Sequence, residues 1–161
     1  MAPGTSSLLL VLLSVTVAGG SGLGILSSMN VQFMVVDPAG RRTGYDSVTR
    51  AEFSEIPSSR YGVRLTGESG AEYEGGDADG RSRDFVAAFT SSDHLMDGPY
   101  TLRVFGERSG PFWLSISVYR EPVSEDFNIR GKIRAGEMKI YHVTYHDDLS
   151  VPVTIDTVGS K

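Results

Sequence analysis

Apolar residues recur at every second position along most of this chain, in short runs separated by Gly, Pro, Asp and Ser. A period of two is that of a β-strand, whose successive side chains point to opposite faces of a sheet. Residues 31–36 (VQFMVV) are apolar on both faces, as in a central strand, and residues 85–89 (FVAAF) form another short run. No segment after residue 30 has the spacing of an amphipathic helix. The pattern therefore predicts an all-β protein.

The clearest alternation occurs in two neighbouring segments, residues 100–104 and 112–118, which flank a Gly-bounded turn at residues 106–110. We predict that these segments pair as a hairpin. We expect their apolar side chains to face the core, and Arg103, Ser115 and Ser117 to face away. The core-facing set is Tyr100, Leu102, Val104, Phe112, Leu114, Ile116 and Val118.

A second hairpin is predicted from residues 138–146 and 151–157, where Pro152 suggests an edge strand. Residues 120–126 (REPVSED) are expected to cross between sheets. Roughly eight to ten short strands with turns every 8–12 residues are typical of an antiparallel β-sandwich, Ig-like or jelly-roll-like. A closed barrel is the alternative. The predicted domain covers residues 25–157.

The N-terminus has the pattern of an export signal. Residues 8–18 (LLLVLLSVTVA) are almost wholly apolar, and no charged side chain precedes Asp37. This stretch has the length of a signal-peptide core and is too short to span ~30 Å of hydrocarbon. Small residues at Ala18 and Gly20 favour cleavage after either one. We therefore predict a signal peptide at residues 1–20; the alternatives are an uncleaved anchor over residues 8–26 or a buried first element.

The composition limits the cellular compartments and the classes of partner that fit this chain. The 161 residues include 15 Lys+Arg and 20 Asp+Glu, a net charge of −5, which disfavours nucleic-acid binding. The chain has no cysteine, so it has neither a disulfide nor a thiolate ligand or nucleophile. Export without disulfides or N-glycosylation sequons fits a secreted or extracytoplasmic bacterial protein. Contact with a membrane is expected only if the N-terminal segment is not cleaved.

Acidic residues are concentrated in residues 67–84, which predicts a long exposed loop. With Asp77 at the first position of an EF-hand, the fifth, sixth and twelfth positions hold unsuitable residues, Arg81, Ser82 and Ala88. A looser calcium site from Asp77, Asp79 and Asp84 is the remaining metal hypothesis. Two interspersed arginines favour an acidic turn instead, so we expect no cofactor.

The sequence offers little for catalysis. His142 and His146 have a metal-ligand spacing for a helix, but in a strand they would lie ~13 Å apart. No G-x-S-x-G elbow occurs, and carboxylate pairs such as Glu72 and Glu74 lie within the acidic loop. We expect a protein that is not an enzyme, with a hydrolase as the least favoured reading.

Trp113 and Tyr119 lie on the face of their strand opposite the apolar ladder. An exposed aromatic ring on a sandwich face provides apolar area with one polar group, which suits a sugar or a protein. The alternative is that another segment covers this face. These two residues are the candidate ligand-binding residues.

Residues 37–46 read DPAGRRTGYD and are followed by Glu55-Ile-Pro57 and Tyr61. This resembles a recurrent module of bacterial secreted and surface proteins with the pattern DPxGRRxGYD, then EIPxxxY. Residues 98–116 match its GxYTLxVxGxxxGxxxLxI segment, and residues 131–145 match its closing GxIxxGxxxxYxVxY segment. More loosely, the chain is similar to pre-peptidase C-terminal-type sandwich domains, although it lacks their usual run of aspartates before the DP turn.

The resemblance implies a non-catalytic accessory sandwich of a secreted protein. It extends over about residues 25–157. Two functions follow as hypotheses, binding of a protein or glycan partner and a purely structural spacer.

The signature itself is predicted to build a turn. Asp37 to Gly40 fits a type I or II turn, with Pro38 fixing φ and Gly40 free to adopt positive φ. An ion pair from Arg42 to Asp37 or Asp46 would lock it.

Overall fold

The computed structural model describes residues 20–66, 84–91 and 95–160, and every regular element within these ranges is a β-strand. In chain order they are β1 (Ser21–Ser27), β2 (Val31–Val36), β3 (Arg42–Asp46), β4 (Ala51–Ser54), β5 (Ser59–Thr66), β6 (Asp84–Ser91), β7 (Gly98–Gly106), β8 (Gly110–Arg120), β9 (Val123–Ile133), β10 (Met138–Tyr145) and β11 (Thr154–Ser160). The predicted all-β class is confirmed, with more strands than expected. Across these ranges there is no helix that is long and apolar enough to cross a membrane.

The strands form two antiparallel sheets that pack face to face. The five-stranded sheet has the order β5-β6-β1-β8-β9, and the six-stranded sheet has the order β11-β10-β7-β2-β3-β4. Each sheet ends in two separate edges, so the fold is the predicted sandwich and not the closed barrel. Alternate residues of both sheets fill the space between them, among them the fully buried Phe33, Phe89, Leu114 and Ile116.

The predicted pairing of residues 100–104 with 112–118 is wrong, although both apolar ladders face the core as expected. β7 lies between β10 and β2 in one sheet, and β8 lies between β1 and β9 in the other. At the corner, the Gly106 N–H donates to the Glu137 carbonyl at 2.9 Å, and the Glu107 N–H donates to the Asn30 carbonyl at 2.9 Å. Alternation shows which face of a strand meets the core. It does not show which sheet the strand belongs to, because the two facing sheets share one core.

The expected crossover at residues 120–126 is also wrong, because this segment is the tight turn of a hairpin. β8 and β9 pair without interruption from Arg120↔Val123 to Gly110↔Ile133. The acidic and proline residues that suggested a joint between sheets are instead the two-residue turn and the start of β9. The hairpin predicted near the C-terminus does form, since β10 pairs with the edge strand β11. Its second strand begins at Thr154 and not at residue 151, so Pro152 lies in the connecting loop and not in the strand.

The first described strand is central and not peripheral. β1 lies between β6 and β8, with Leu23 and Ile25 in the core and Leu26 on the outer face. Residues 21–26 are therefore part of the sandwich. The strands also run beyond the predicted bounds of 25–157, from Ser21 to Ser160. The predicted signal peptide itself lies outside the described residues, apart from Gly20.

Candidate binding face

The DPxGRR part of the signature folds into a turn closed by its own aspartate. The Gly40 N–H donates to the Asp37 carbonyl at 2.9 Å, with Pro38 and Ala39 at the corner positions. Ala39 has negative φ, which selects type I, and Gly40 has φ +82° as predicted. The Asp37 carboxylate is buried and accepts the backbone N–H groups of Ala39 at 3.0 Å and Arg41 at 2.9 Å.

The ion pair expected from Arg42 to Asp37 or Asp46 does not form. The partner of Asp37 is Arg41, whose Nε lies 2.7 Å from Oδ2, because Arg41 ends the turn beside that carboxylate. Arg42, one position further along, points to the next loop and pairs with Glu55 at 2.6 Å. Its guanidinium also stacks on Phe53, with the Cζ atom 3.8 Å from the ring centroid. Side-chain hydrogen bonds from Arg42 hold the pKa of Glu55 below its ordinary value.

The rest of the signature is also engaged inside the fold. The buried Thr43 Oγ1 accepts the Ile56 N–H at 3.1 Å and lies 2.8 Å from Ser59 Oγ. Asp46 accepts the Val48 N–H at 2.9 Å and the Thr49 hydroxyl at 3.1 Å, which closes the β3–β4 turn. These contacts make the signature a framework element.

The two aromatic candidates do lie on the outer face of the five-stranded sheet. Trp113 is 39% exposed, Tyr119 is half-buried, and the inward residues of β8 between them, such as Leu114 and Ile116, are fully buried. The two rings are six residues apart on one strand, a separation of about 20 Å at ~3.3 Å per residue. The Trp113 backbone is fixed from the β1 side, where its N–H donates to Ser28 Oγ at 3.1 Å and its carbonyl accepts the Ser28 N–H at 3.0 Å.

Glycines lie beside Tyr119, whereas Leu26, opposite Ser115, lies between them and Trp113 on the same face. The cross-strand neighbours of Tyr119 and Ser117 on β1 are Gly22 and Gly24, and Gly62 occupies the same face on β5. A Cβ on Gly24 would make ordinary van der Waals contacts, with Ser117 Cβ and the Ser117 carbonyl oxygen both at 3.9 Å. The surface of β1 is therefore low at the Tyr119 end of this face.

A strip of polar side chains runs between the two rings. On β9 the outer-face neighbours of β8 are Arg130, Asn128, Asp126 and Ser124, which lie opposite Trp113, Ser115, Ser117 and Tyr119. The Ser117 hydroxyl donates to Asp126 Oδ1 at 2.6 Å. Asn128 is exposed and offers both a donor and an acceptor. The face thus combines aromatic rings at its ends with hydrogen-bonding groups between them, an arrangement that the sequence suggested only for the rings, because the β8–β9 pairing was not predicted.

Sequence reasoning missed Arg120, which faces inward at the end of β8 and is 4% exposed. Its Nη1 donates to the carbonyls of His146 and Asp148 at 3.0 Å and of Val151 at 2.8 Å, while Nη2 pairs with Glu125. Arg120 therefore ties the β10–β11 loop to the β8–β9 hairpin. Its inward position on the strand, at even spacing from the apolar ladder, was the available signal.

The metal candidates of the sequence lie partly outside the described residues. Asp77 and Asp79 lie outside the described residues, and Asp84 begins β6 without a described side chain. His142 is in β10, as the strand reading required, and His146 follows it with Nδ1 3.7 Å from Asp97 Oδ2. No group of three His, Asp or Glu within the described ranges could hold a metal ion.

Two cavities lie away from this face. One, of about 200 Å³, is bordered by Gln32, Val63 and Glu107 and is smaller than the ~300–1,000 Å³ of typical ligand pockets. The other, of about 880 Å³, runs along residues 132–137. Glu137 lines this cavity, where its carboxylate accepts the Arg134 N–H at 2.8 Å and pairs with Lys139 at 3.0 Å. The hydrogen bond from the Arg134 backbone is the main cause that lowers the pKa of Glu137. Because Glu137 is already engaged by Arg134 and Lys139, the outer face around Trp113 is the better candidate site.

A comparison of the chain with protein families, with curated proteins and with solved structures finds no match.

Proposed function

We propose that this protein is an exported, non-catalytic β-sandwich module that binds a glycan through the outer face of its five-stranded sheet. The observation that carries the proposal is the exposed Trp113 ring at one end of a polar strip, with Gly22 and Gly24 at the other end beside Tyr119 and Ser117. Sugar rings present apolar C–H faces that stack on an aromatic ring, and hydroxyl groups that need hydrogen-bond partners at their edges. The face offers both kinds of contact.

The separation of the aromatic residues favours a chain of several sugars over a single one. Trp113 and Tyr119 stand at the two ends of a straight strand, about 20 Å apart. Ser115, Asn128 and the Ser117–Asp126 pair lie between them. An extended oligosaccharide could stack at one end and place its hydroxyl groups along this strip.

A glycan array probed with the full chain tests the proposal. We expect binding to a subset of oligosaccharides, lost in Trp113→Ala and kept in Val158→Ala, an exposed apolar control on the edge strand of the other sheet. Gly24→Ala provides a second arm, since the added Cβ makes ordinary contacts and Gly24 has no positive φ. This variant should fold and weaken binding.

Two results would contradict the proposal: no glycan retained by the full chain, or retention that is equal in Trp113→Ala and Val158→Ala. Capture of a protein that depends on Trp113, without glycan binding, would replace the glycan with a protein partner. Export is tested separately by N-terminal sequencing of protein from the extracytoplasmic fraction. A start near Ser21 or Gly19 supports it, and an intact Met1 in the cytoplasmic pool opposes it.

A structural spacer is the second candidate function, and one observation favours it. The signature residues Asp37, Thr43 and Glu55 all bond to other parts of their own chain. A motif whose side chains are engaged in contacts within the chain maintains the fold and does not itself bind a partner. The spacer role predicts that Trp113→Ala changes no binding property.

A further inference from the structure

The outer edge of β9 is unusually long and regular. β9 has 11 residues and ends the five-stranded sheet, and its pairing with β8 has no register shift. Of the other described edges, β5 has 8 residues, β4 has 4 residues, and β11 pairs through a register shift between Ile140 and Tyr141, so β9 is the longest. Proteins usually block long edges, because unpaired N–H and C=O groups invite another strand.

The backbone groups on this edge can be assigned. Trp113 bonds through both its N–H and its carbonyl to Ser28 on the β1 side of β8. Arg130 is the partner of Trp113 on β9, the strand on the other side of β8. Because Trp113 directs its backbone groups toward β1, this pair is not hydrogen-bonded, and the N–H and C=O of Arg130 point away from β8. The direction of the backbone groups alternates along a strand, so the N–H and C=O groups of the even-numbered residues 124–132 all point to the open edge. No backbone hydrogen bond from another described segment reaches them.

The side chains on this edge are self-complementary. If a second β9 runs antiparallel with a two-fold axis at Asn128, Asp126 of one copy faces Arg130 of the other, twice. Phe127 then faces Ile129, and no two like charges face each other along the strand. Asp126 and Arg130 are exposed on the outer face, while Phe127 and Ile129 are partly buried against the core. The same register places outward-pointing backbone groups opposite each other at residues 126, 128 and 130.

We infer that the β9 edge is an interface with a second copy of this chain, paired antiparallel about Asn128. The two five-stranded sheets would then join into one continuous sheet. A two-fold axis perpendicular to that sheet keeps both outer faces on the same side. Two Trp113 platforms would therefore share one surface, an arrangement that favours multivalent ligands.

Sedimentation of the full chain over a concentration series, without any glycan, tests this interface. We expect a monomer–dimer equilibrium that weakens as salt rises, because exposed ion pairs are screened. Asp126→Arg and Arg130→Asp should each shift the chain to monomer, since each sets like charges opposite each other. The double variant Asp126→Arg/Arg130→Asp should recover the dimer.

Asn128 supplies a matched backbone test. Asn128→Pro removes an N–H on the open edge and should abolish the dimer, whereas Asn128→Ala keeps that N–H and should retain it. If Asn128→Pro fails to fold, the charge-reversal set decides alone. A wild-type chain that stays monomeric at all concentrations, or a dimer that none of these variants weakens, would overturn the inference whether or not the chain binds glycans.

Discussion

Single residues define the β8 register, on which both the core and the binding face depend. Leu114 is fully buried, and Ser115 is half-buried on the opposite face. Leu114→Ala should lower the free energy of unfolding by ~2–5 kcal/mol, as removal of buried methyl groups does. Ser115→Ala should change it by less than ~0.5 kcal/mol. Denaturant titrations that show equal tolerance at both positions would refute the register.

Two glycines give a matched pair for backbone strain. Gly44 has φ +126°, and a Cβ there would lie 2.4 Å from the Phe33 carbonyl oxygen. Gly62 has no atom within 4 Å of its added Cβ and no positive φ. Gly44→Ala should therefore destabilise the protein by ~1–3 kcal/mol or more, while Gly62→Ala should be neutral or stabilise it by up to ~1 kcal/mol. Similar thermal unfolding of the two variants would contradict this account of the signature glycine.

At the scale of elements, Arg120 joins the β8–β9 hairpin to the β10–β11 loop. Arg120→Met keeps apolar volume but removes the donors to three carbonyls and the pair with Glu125, so we expect a loss of about 2–4 kcal/mol. Arg120→Lys should recover little, because one ammonium group cannot replace the planar fork. Arg60→Met, at an exposed position on β5, is the control and should stay within ~0.5 kcal/mol. Equal unfolding midpoints for Arg120→Met and Arg60→Met would show that the contacts of Arg120 do not stabilise this junction.

The strands themselves were predictable from sequence, but their partners were not. Val118 and Leu102 reveal by alternation that they face a core, since burial has the period of the strand. Whether they belong to one sheet or to two depends on contacts distant in sequence, such as the bond from Gly106 to Glu137. The same limit applies to the site: Trp113 could be placed on an outer face, but Asn128 and Asp126 join it only through the β8–β9 register.

The whole molecule should lose stability in alkali. Burial raises the pKa of Tyr100 to about 12, and it also raises the pKa of Tyr61, Tyr141 and Tyr145. An exposed tyrosine in the unfolded chain ionises near pH 10.0. Below that pH both states keep these protons, and their contribution to stability is complete. As the pH rises further the unfolded state releases protons first, so the free energy of unfolding falls.

Urea unfolding at a series of pH values checks this alkaline loss. For Tyr100 the decline should run from about pH 10 to about pH 12. Tyr100→Phe should make the decline shallower, although it also removes the acceptor of the Met96 N–H. A flat profile up to pH 12 in the wild-type chain would mean that the tyrosines are not buried as described.

The fluorescence of Trp113 tests the central claim most directly, because the chain contains 1 Trp. The measurement is acrylamide quenching of that emission in the full chain, alone and with a glycan selected on the array. We predict the red-shifted, readily quenched emission of a water-exposed indole, followed by a blue shift and protection from acrylamide when the glycan binds. An emission that is already blue-shifted and shielded in the free protein would show that the ring is covered, and an exposed ring that no retained glycan protects would show that binding does not occur at this face.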